Sequence, residues 1–495
     1  MYPSLLVAVT AADICIIGEI MRGKSTIYKQ RGYAHFDKKI SPSQAKKFVE
    51  DPIFVQHYAF YPFLHYTLKQ KKYKPKETEK DKRKPLKLRE IYYSAHMDRY
   101  IYQYYAYQLN NRYNEYCKQE SIDECALAYR NNKPGKCNIH FANEAFNFIK
   151  GHHNVAIIVG DFTSFFDNLN HNYLKECLQT VLGSKRLPND WFALYKSICN
   201  YSYIEVSDII SEFKIENQIE GVVTRRQLNH YDIIYPFDVI RKNKKHWIRL
   251  NEENGVKKDY AIPQGTPISG VFANVYMIEF DRMIKTFCES VGGFYRRYSD
   301  DFIVALPNTT SENIQERIET IFAVTKTIGD KGKLELKEEK TCCYFYNEKV
   351  LNLISVQGEK LSTNKPMMQF LGFSFDGKEI DVRSKTKSKN TNKVLRKIKV
   401  LYRMDNFKKK DGKIVHISFK SAKKKYGSVY LINPKNNKKQ ATYLSYIDKS
   451  SKIFKGEQRL GKLRVKRRAD INRLINRVIY LEKKKQDKMG EKMMK

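Results

Sequence analysis

The chain has 495 residues, 42% of them hydrophobic and 13% aromatic, which is enough to bury several cores in about two to four lobes. Its formal net charge of +37 is uneven: from Lys378 onward, 38 Lys and Arg residues stand against 10 Asp and Glu, a net charge of +28 in the last 118 residues. Such a single-sign field favours a polyanionic partner, nucleic acid first and an anionic membrane surface second.

The sequence argues against a membrane protein, because no apolar run reaches the ~18 residues that a spanning helix needs. The apolar start at 1–20 is interrupted by Asp13 and has no basic leader. We therefore expect a small docking helix, or translation from Met21, rather than a signal peptide. The nine cysteines include no Cys-x-x-Cys pair, which predicts reduced, buried thiols and a cytoplasmic location.

The first predicted elements are helices. Residues 35–75 are aromatic-rich and are interpreted as helical, and a basic loop-to-strand stretch follows at 76–90. Tyr and Leu recur at three- and four-residue steps over 100–116, which predicts a helix there. Nine tyrosines lie between Tyr92 and Tyr116. One of them could serve as a protein primer hydroxyl, but a stacked, amphipathic helix face is the favoured interpretation.

Strands and helices then alternate along the chain. An apolar run at 154–159 predicts a strand, and the helix after it is predicted at 171–182. Residues 200–260 are polar with scattered aromatics and are interpreted as an elaboration between the elements on either side. Pro267 starts a further helix, and 294–298 and 302–306 predict the two arms of a hairpin. A second hairpin is predicted over 369–375 and 379–382, and a basic helix with a packing face over 459–485.

Three short motifs carry chemistry through their order and spacing. They are Val-Gly-Asp-Phe-Thr-Ser-Phe-Phe-Asp at 159–167, Pro-Gln-Gly-Thr-Pro at 263–267 and Tyr-Ser-Asp-Asp at 298–301. Asp161 thus ends a strand, and Asp300 follows 139 residues later at a hairpin tip, beside Asp301. Carboxylates so placed can hold two Mg²⁺ ions, or Mn²⁺ in their place, for in-line nucleotidyl transfer. We expect Asp161 and Asp300 to bridge the ions and Asp301 to help at the primer end.

From about residue 82 to residue 375, the chain resembles the fingers and palm of bacterial reverse transcriptases. The three motifs match the palm, while Lys-Leu-Arg-Glu-Ile at 87–91 and Ala-Tyr-Arg at 128–130 resemble the two fingers motifs. The resemblance implies an α+β right-hand polymerase. Its predicted parts are an N-terminal helical extension (1–75), fingers (76–155), a palm with an antiparallel sheet and helices (156–376, with the elaboration at about 200–260) and a basic helical thumb (377–495).

The resemblance also implies roles for single residues. Those placed around the incoming dNTP are Arg89, Arg130, Phe162, Phe166, Gln264, Gly265 and Lys340, and those matching the primer grip are Phe370, Leu371 and Gly372. The guanidinium groups suit a triphosphate. Phe166, five residues after Asp161, matches the steric gate that blocks a ribose 2′-hydroxyl. The nearest acidic residue, Asp167, stands six residues after Asp161 rather than five. The resemblance therefore favours DNA synthesis over RNA synthesis.

Departures from other relatives narrow the expected lineage. After the predicted thumb we find no acidic constellation typical of ribonuclease H and no His/Cys cluster typical of an endonuclease, and the retron signatures are missing. The chain most resembles the stand-alone, unknown-group reverse transcriptases of bacteria. This resemblance implies RNA-directed DNA synthesis in anti-phage defence, with an RNA template, often a dedicated noncoding RNA, and a DNA product. Two alternatives stay open: template-independent or protein-primed DNA synthesis by the same palm, and an inactive RNA-binding scaffold.

Overall fold

The computed structural model describes residues 27–71, 86–219, 223–332, 334–336, 341–361, 366–404, 407–408, 414–415, 419–432, 437 and 439–493. Some predictions fall outside these residues. They concern 1–20 and Met21, most of the basic stretch before residue 86, and Lys340. The chain divides into two compact units. The first takes the described parts of 1–135, 160–304 and 316–341, and the second those of 136–159, 305–315 and 342–495.

The helices of the described residues are as follows. They are α1 Pro42–Val49, α2 Pro52–His57, α3 His96–Gln119, α4 Asn138–Lys150, α5 His171–Leu182, α6 Asn189–Cys199, α7 Val206–Glu216, α8 Arg225–Leu228, α9 Phe237–Asn243, α10 Ser269–Tyr276, α11 Ile278–Ser290, α12 Ile314–Gly332, α13 Ser384–Met404, α14 Lys420–Gly427, α15 Tyr443–Ile453 and α16 Gln458–Met493. Short 3₁₀ turns lie at Phe165–Asp167 and Lys245–Trp247.

The strands are mostly short. They are β1 Phe63–Thr67, β2 Gln70–Lys71, β3 Leu86–Lys87, β4 Glu90–Tyr93, β5 Val155–Asp161, β6 Ser202–Glu205, β7 Arg249–Leu250, β8 Glu252–Glu253, β9 Val256–Lys257, β10 Phe294–Tyr298, β11 Asp301–Leu306, β12 Cys342–Asn347, β13 Val350–Ile354, β14 Met368–Phe370, β15 Phe373–Phe375, β16 Ile380–Val382, β17 Phe407–Lys408, β18 Ile414–Val415, β19 Tyr430–Ile432 and β20 Lys439–Ala441. The larger sheets have the orders β4-β1-β6-β7, β10-β11-β5-β12-β13 and β14-β15-β16.

In the first unit, the sheet β4-β1-β6-β7 corrects two predictions. Residues 42–57 form two short helices, but 63–67 form β1, so the helical interpretation of 35–75 is wrong for its second half. β1 pairs antiparallel with β4 and parallel with β6. Residues 200–260, interpreted as an elaboration, supply β6 and β7 of this sheet. Leu64 and Ile204 pair in it and share one buried core with Leu228 and Trp247.

The tyrosine-rich helix of the first unit is confirmed as α3, which spans His96–Gln119. Its rings are packed: Tyr100, Tyr102 and Tyr113 are at most 2% exposed. None of the nine tyrosines between 92 and 116 is fully exposed. This packing supports the interpretation of a stacked helix face over that of a primer hydroxyl in this segment.

In the second unit, β14, β15 and β16 form the antiparallel sheet that the sequence predicted over 369–382. The predicted basic helix is α16, which extends to residue 493. Its Ile471 and Val478 pack with Val394 and Ile398 of α13. Across the two units, the structure also confirms three other predicted elements: the strand at 154–159, the helix at 171–182 and the hairpin at 294–306.

None of the eight cysteines among the described residues forms a disulfide. Six of them are buried, and burial raises the pKa of the Cys117 thiol to about 11, with small opposing effects from Arg130 and Tyr113. Such thiols stay protonated near neutral pH and act as core side chains. Within the same parts of the chain, no helix combines the length and the apolar character needed to cross a membrane.

Candidate active site

Asp161 lies at the end of a buried strand. Val155, Ala156, Ile157 and Ile158 of β5 are fully buried, and Asp161 itself is 5% exposed. Directly after it, the backbone N–H of Phe162 donates to the carbonyl oxygen of Asp300 at 3.3 Å. The structure therefore brings Asp161 and Asp300 to neighbouring backbone positions, although 139 residues separate them in the sequence.

Asp300 and Asp301 lie at the tip of the hairpin formed by β10 and β11. Ser299, which precedes them, has φ +62°, in the left-handed region. Asp300 is half-buried in the turn, and Asp301 is the exposed first residue of β11. A residue other than glycine in this conformation is uncommon and indicates a turn held by its surroundings.

The three aspartates do not form a ready metal cage. Across the described residues, no group of three or more His, Cys, Asp and Glu side chains is arranged to hold a metal ion. The donor chemistry does fit a divalent metal, because carboxylate oxygens are the ligands that Mg²⁺ prefers. Two of the three carboxylates also belong to adjoining backbone segments. Asp161, Asp300 and Asp301 thus remain the candidate metal ligands.

The loop that carries Gln264 and Gly265 is fixed against β4. The backbone N–H of Tyr92 donates to the carbonyl oxygen of Gln264 at 3.0 Å. Gly265 has φ +126°, and a Cβ placed on it would lie 2.5 Å from the carbonyl oxygen of Tyr92. Only glycine tolerates both conditions. The close backbone approach that glycine permits is made here to the protein's own strand β4.

The two phenylalanines predicted to contact the dNTP have different surroundings. Phe166 is half-buried in the 3₁₀ turn Phe165–Asp167, and its carbonyl oxygen accepts from the N–H of Ile262 at 2.9 Å. Phe162 is 2% exposed, with its ring 5.5 Å from that of Phe280. The ring of Phe162 thus belongs to the core, and its contact with the dNTP stays a prediction.

Beside Phe166, the carboxyl of Asp167 is perturbed. Burial raises its pKa, the nearby Glu90 carboxylate adds to the rise, and the Lys258 ammonium opposes it. The position five residues after Asp161, which is the predicted gate, is occupied by Phe166 and not by Asp167 or Glu90. The turn thus presents one aromatic side chain next to a carboxyl with reduced acidity.

Arg130 is enclosed by other residues of the first unit. Its side chain is 0% exposed and forms an ion pair with Asp123, and its Nε donates to Asn114 Oδ1 at 2.7 Å. The guanidinium also lies over the Tyr113 ring, 5.0 Å from its centroid. Although burial alone would raise the pKa of Asp123, Lys133 and Arg130 hold it at about 2. These contacts give Arg130 a structural role, and its contact with a triphosphate stays a prediction.

Of the other predicted dNTP ligands, Arg89 is half-buried, and its backbone pairs with Leu68 in both directions, at 2.8 and 3.2 Å. The predicted primer-grip residues lie in the second unit, at the turn between β14 and β15. Leu371 and Gly372 have φ +45° and +91°. Asn138 Nδ2 donates to the carbonyl oxygen of Leu371 at 2.9 Å. The hairpin is confirmed, with Phe370 buried below it.

One pair that the sequence analysis missed is Asp281 with Arg297. Both side chains are 0% exposed, and Arg297 Nη2 lies 2.6 Å from Asp281 Oδ2. A signal was present: Asp281 stands three residues from both Ile278 and Ile284, on the apolar side of its helix. A carboxylate at a core position of a helix needs a partner, since buried charges are normally paired.

One family model matches part of the chain. Residues 223–375 match the family model described as reverse transcriptase (RNA-dependent DNA polymerase), a span that contains Gln264, Gly265, Asp300 and Asp301. No curated protein matches the sequence.

Solved structures similar to the chain include two telomerases. For apo telomerase from Candida tropicalis truncated from its C-terminal domain, the identity is 15%, the TM-score is 0.34, and the match covers 61% of this chain and 53% of that one. For telomerase from Candida albicans with a fragment of telomeric RNA, the identity is 11% and the TM-score is 0.36. The match covers 88% of this chain and 67% of that one. The chain thus spans about half to two thirds of these proteins, and TM-scores of this size say nothing of activity. By this family match, residues 223–375 are similar to a reverse transcriptase domain, and the described residues form an α+β fold.

Proposed function

We propose that this chain is an RNA-directed DNA polymerase that acts in bacterial anti-phage defence, with an RNA template and a DNA product. The observation that carries the polymerase proposal is the meeting of the end of β5 with the catalytic hairpin, through the hydrogen bond from Phe162 N–H to Asp300. Of the two segments that meet there, the hairpin with Asp300 lies within residues 223–375, which match the reverse transcriptase family model. The defence role and a dedicated noncoding RNA rest on the resemblance to stand-alone bacterial enzymes.

Asp161, Asp300 and Asp301 would hold two Mg²⁺ ions, and Mn²⁺ could replace them. When bound, such ions supply activation of the primer 3′-hydroxyl and neutralisation of the leaving pyrophosphate. The residues around them bind and orient the substrate. Arg89, Arg130 and Lys340 would contact the triphosphate.

Other residues would select and align the reactants. The Phe166 ring would occupy the space of a ribose 2′-hydroxyl and so favour dNTPs. The loop of Gln264 and Gly265 would lie along the nascent pair, and the turn of Leu371 and Gly372 would hold the primer strand. We further propose that 76–155 are fingers, 156–376 palm and 377–495 thumb. A thumb with a net charge of about +28 suits the phosphate backbone of a product duplex.

Primer extension on a defined RNA template tests the activity. The wild-type protein, an annealed DNA primer, Mg²⁺ and four dNTPs are expected to give DNA complementary to the template. Asp300→Asn removes one candidate metal ligand and should abolish extension. Asp232→Asn, at an exposed position, is the matched control and should extend normally. Extension by Asp300→Asn at the wild-type rate would refute the catalytic assignment.

The same reaction separates the alternatives. Product that forms after the RNA has been digested, and whose sequence is unrelated to it, would indicate template-independent synthesis. Product that migrates with the protein after denaturation, and is released by protease, would indicate a protein primer. Phage plaque counts on cells expressing wild type or Asp300→Asn test the defence role. Equal protection by both proteins would indicate an inactive scaffold.

A further inference from the structure

We propose that Arg297 is a positioning residue for the catalytic turn: its buried guanidinium holds the Ser299 carbonyl and thereby fixes the backbone that carries Asp300. This inference rests on the proposed polymerase function. It assigns a role to a residue that lies outside the three motifs and touches neither substrate nor metal.

The guanidinium is anchored first to α11. Arg297 Nε donates to Asp281 Oδ1 at 2.8 Å, and Nη2 donates to Oδ2 at 2.6 Å. Both residues are 0% exposed. Two parallel hydrogen bonds to a carboxylate fix the plane of the guanidinium as well as its position, which a lysine ammonium cannot do. The third nitrogen therefore points in one defined direction.

That third nitrogen reaches the turn. Arg297 Nη1 donates to the carbonyl oxygen of Ser299 at 3.0 Å, and it also lies 3.4 Å from Asn274 Oδ1. Ser299 has φ +62°, a conformation that residues other than glycine rarely adopt and that lasts only where neighbours hold it. On the far side of the same turn, Phe162 N–H donates to the Asp300 carbonyl. Asp300 is thus held by one hydrogen bond before it and one after it.

The frame behind Arg297 is itself fixed. The Arg297 backbone pairs in both directions with the segment before Arg130, through Cys125 and Leu127, each at 2.8 Å. Asn274 Nδ2 donates to the carbonyl oxygen of Ala128 at 2.7 Å, which ties α10 to the same segment. α10 follows directly from the loop of Gln264 and Gly265. Arg297 therefore connects the helix behind that loop to the turn with Asp300.

The network contains its own control. Tyr295 O–H donates to Asp281 Oδ1 at 2.6 Å, so it shares the Asp281 carboxylate with Arg297. Arg296, the next residue, pairs with Glu124 at 2.9 Å. If Arg297 served only the core, loss of the Tyr295 hydroxyl should act in the same manner. If Arg297 positions the turn, the two variants should differ in kcat.

The experiment compares Arg297→Lys with Tyr295→Phe and Arg296→Lys in primer extension, with the thermal midpoint measured for each. Arg297→Lys keeps the charge for Asp281 but cannot reach Asp281 and Ser299 together. We expect its kcat to fall about 10- to 100-fold, as for a misplacement of about 1 Å, with the dNTP KM within about threefold and a higher Mg²⁺ requirement. The two control variants should keep kcat within about twofold.

A second substitution tests the mechanism through the turn. Ser299→Gly removes the conformational penalty at φ +62°, so the turn depends less on its anchor. The double variant Arg297→Lys/Ser299→Gly should regain at least about fivefold of the kcat that Arg297→Lys loses, whereas a core defect would not respond.

Several results would overturn the inference: wild-type kcat in Arg297→Lys, an equal loss in Tyr295→Phe, an Arg297→Lys protein that does not fold, or no recovery in the double variant. A wild-type protein that makes no DNA would instead refute the proposed function. Active wild type together with fully active Arg297→Lys would refute this inference alone.

Discussion

Gly160 is the residue where a single methyl group should damage both the fold and the chemistry. It is buried in β5, directly before Asp161, and a Cβ placed on it would lie 2.4 Å from two atoms of the Phe302 ring. That ring is 0% exposed and lies 5.6 Å from the Phe280 ring and 5.8 Å from the Phe162 ring. It has no free space to move into.

The size of the effect follows from these distances. Carbon atoms in ordinary contact are about 3.5–4 Å apart, so Gly160→Ala requires a displacement of about 1 Å between β5 and the ring. Overpacking of this kind costs about 1–3 kcal/mol of unfolding free energy. The same displacement at Asp161 would lower the rate of extension by about 10- to 100-fold, because transfer depends on alignment of the reacting atoms.

Urea unfolding and primer extension of Gly160→Ala measure these two effects. Gly32→Ala is the control, since a Cβ at Gly32 meets no atom within 4 Å. We expect the control to match wild type in both assays. An unfolding free energy of Gly160→Ala within about 0.5 kcal/mol of wild type, with an unchanged extension rate, would refute the reasoning.

Three further predictions concern the gate, a buried carboxyl and the basic region. Phe166→Ala should admit ribonucleotides, measured as the ratio of kcat/KM for dNTPs and NTPs, since the ring no longer fills the space of a 2′-hydroxyl. Burial raises the pKa of Asp98 to about 8 despite hydrogen bonds from Tyr58 and Tyr61. The stability that Asp98 contributes is therefore complete below the unfolded pKa of about 3.9 and is lost as the pH rises to about 8. The urea midpoint should consequently fall more between pH 5 and pH 8 in wild type than in Asp98→Asn. Replacing the exposed Lys462, Arg473 and Arg477 by Gln should flatten the salt dependence of duplex binding, by up to about 0.9 in log–log slope for each lost phosphate contact.

Each of these three has a result that contradicts it. Unchanged discrimination between dNTPs and NTPs would remove Phe166 from the gate. Parallel pH profiles of wild type and Asp98→Asn would show that Asp98 does not titrate in this range. Equal salt slopes would take the face of α16 out of the binding surface.

The helices and strands around the candidate site were predicted correctly from the sequence because their patterns are local. The strand of Asp161, the helix at 171–182 and the hairpin of Asp300 each show in a continuous run of residues. The sheet β4-β1-β6-β7 could not be predicted in this manner. Its strands have two to five residues, and β1 pairs with a strand about 140 residues away. Such short segments carry no reliable period, and only their shared core selects the pairing.

The site residues show the same limit. Arg130 occupies a motif position, yet its role depends on Asp123 and Asn114, which enclose it. Asp123 lies only seven residues earlier, but sequence spacing does not reveal that the pair is buried. Phe162 directly follows Asp161 and was expected at the substrate, whereas its ring is 2% exposed and packs in the core. Motif position predicted which backbone lies at the site, and burial decided which side chains face it.

The same reasoning explains why the buried pair of Asp281 and Arg297 calls for a role other than stability. Bringing two charges out of water costs several kcal/mol for each ion, and replacing such pairs by apolar residues is often neutral or stabilising by about 1–4 kcal/mol. A core that needed only stability would therefore be served as well by aliphatic side chains. What aliphatic side chains cannot supply is a donor aimed at the Ser299 carbonyl. The electrostatic cost is understandable if it fixes the backbone of Asp300 before metal and substrate arrive, because alignment present before binding does not have to be created during the reaction.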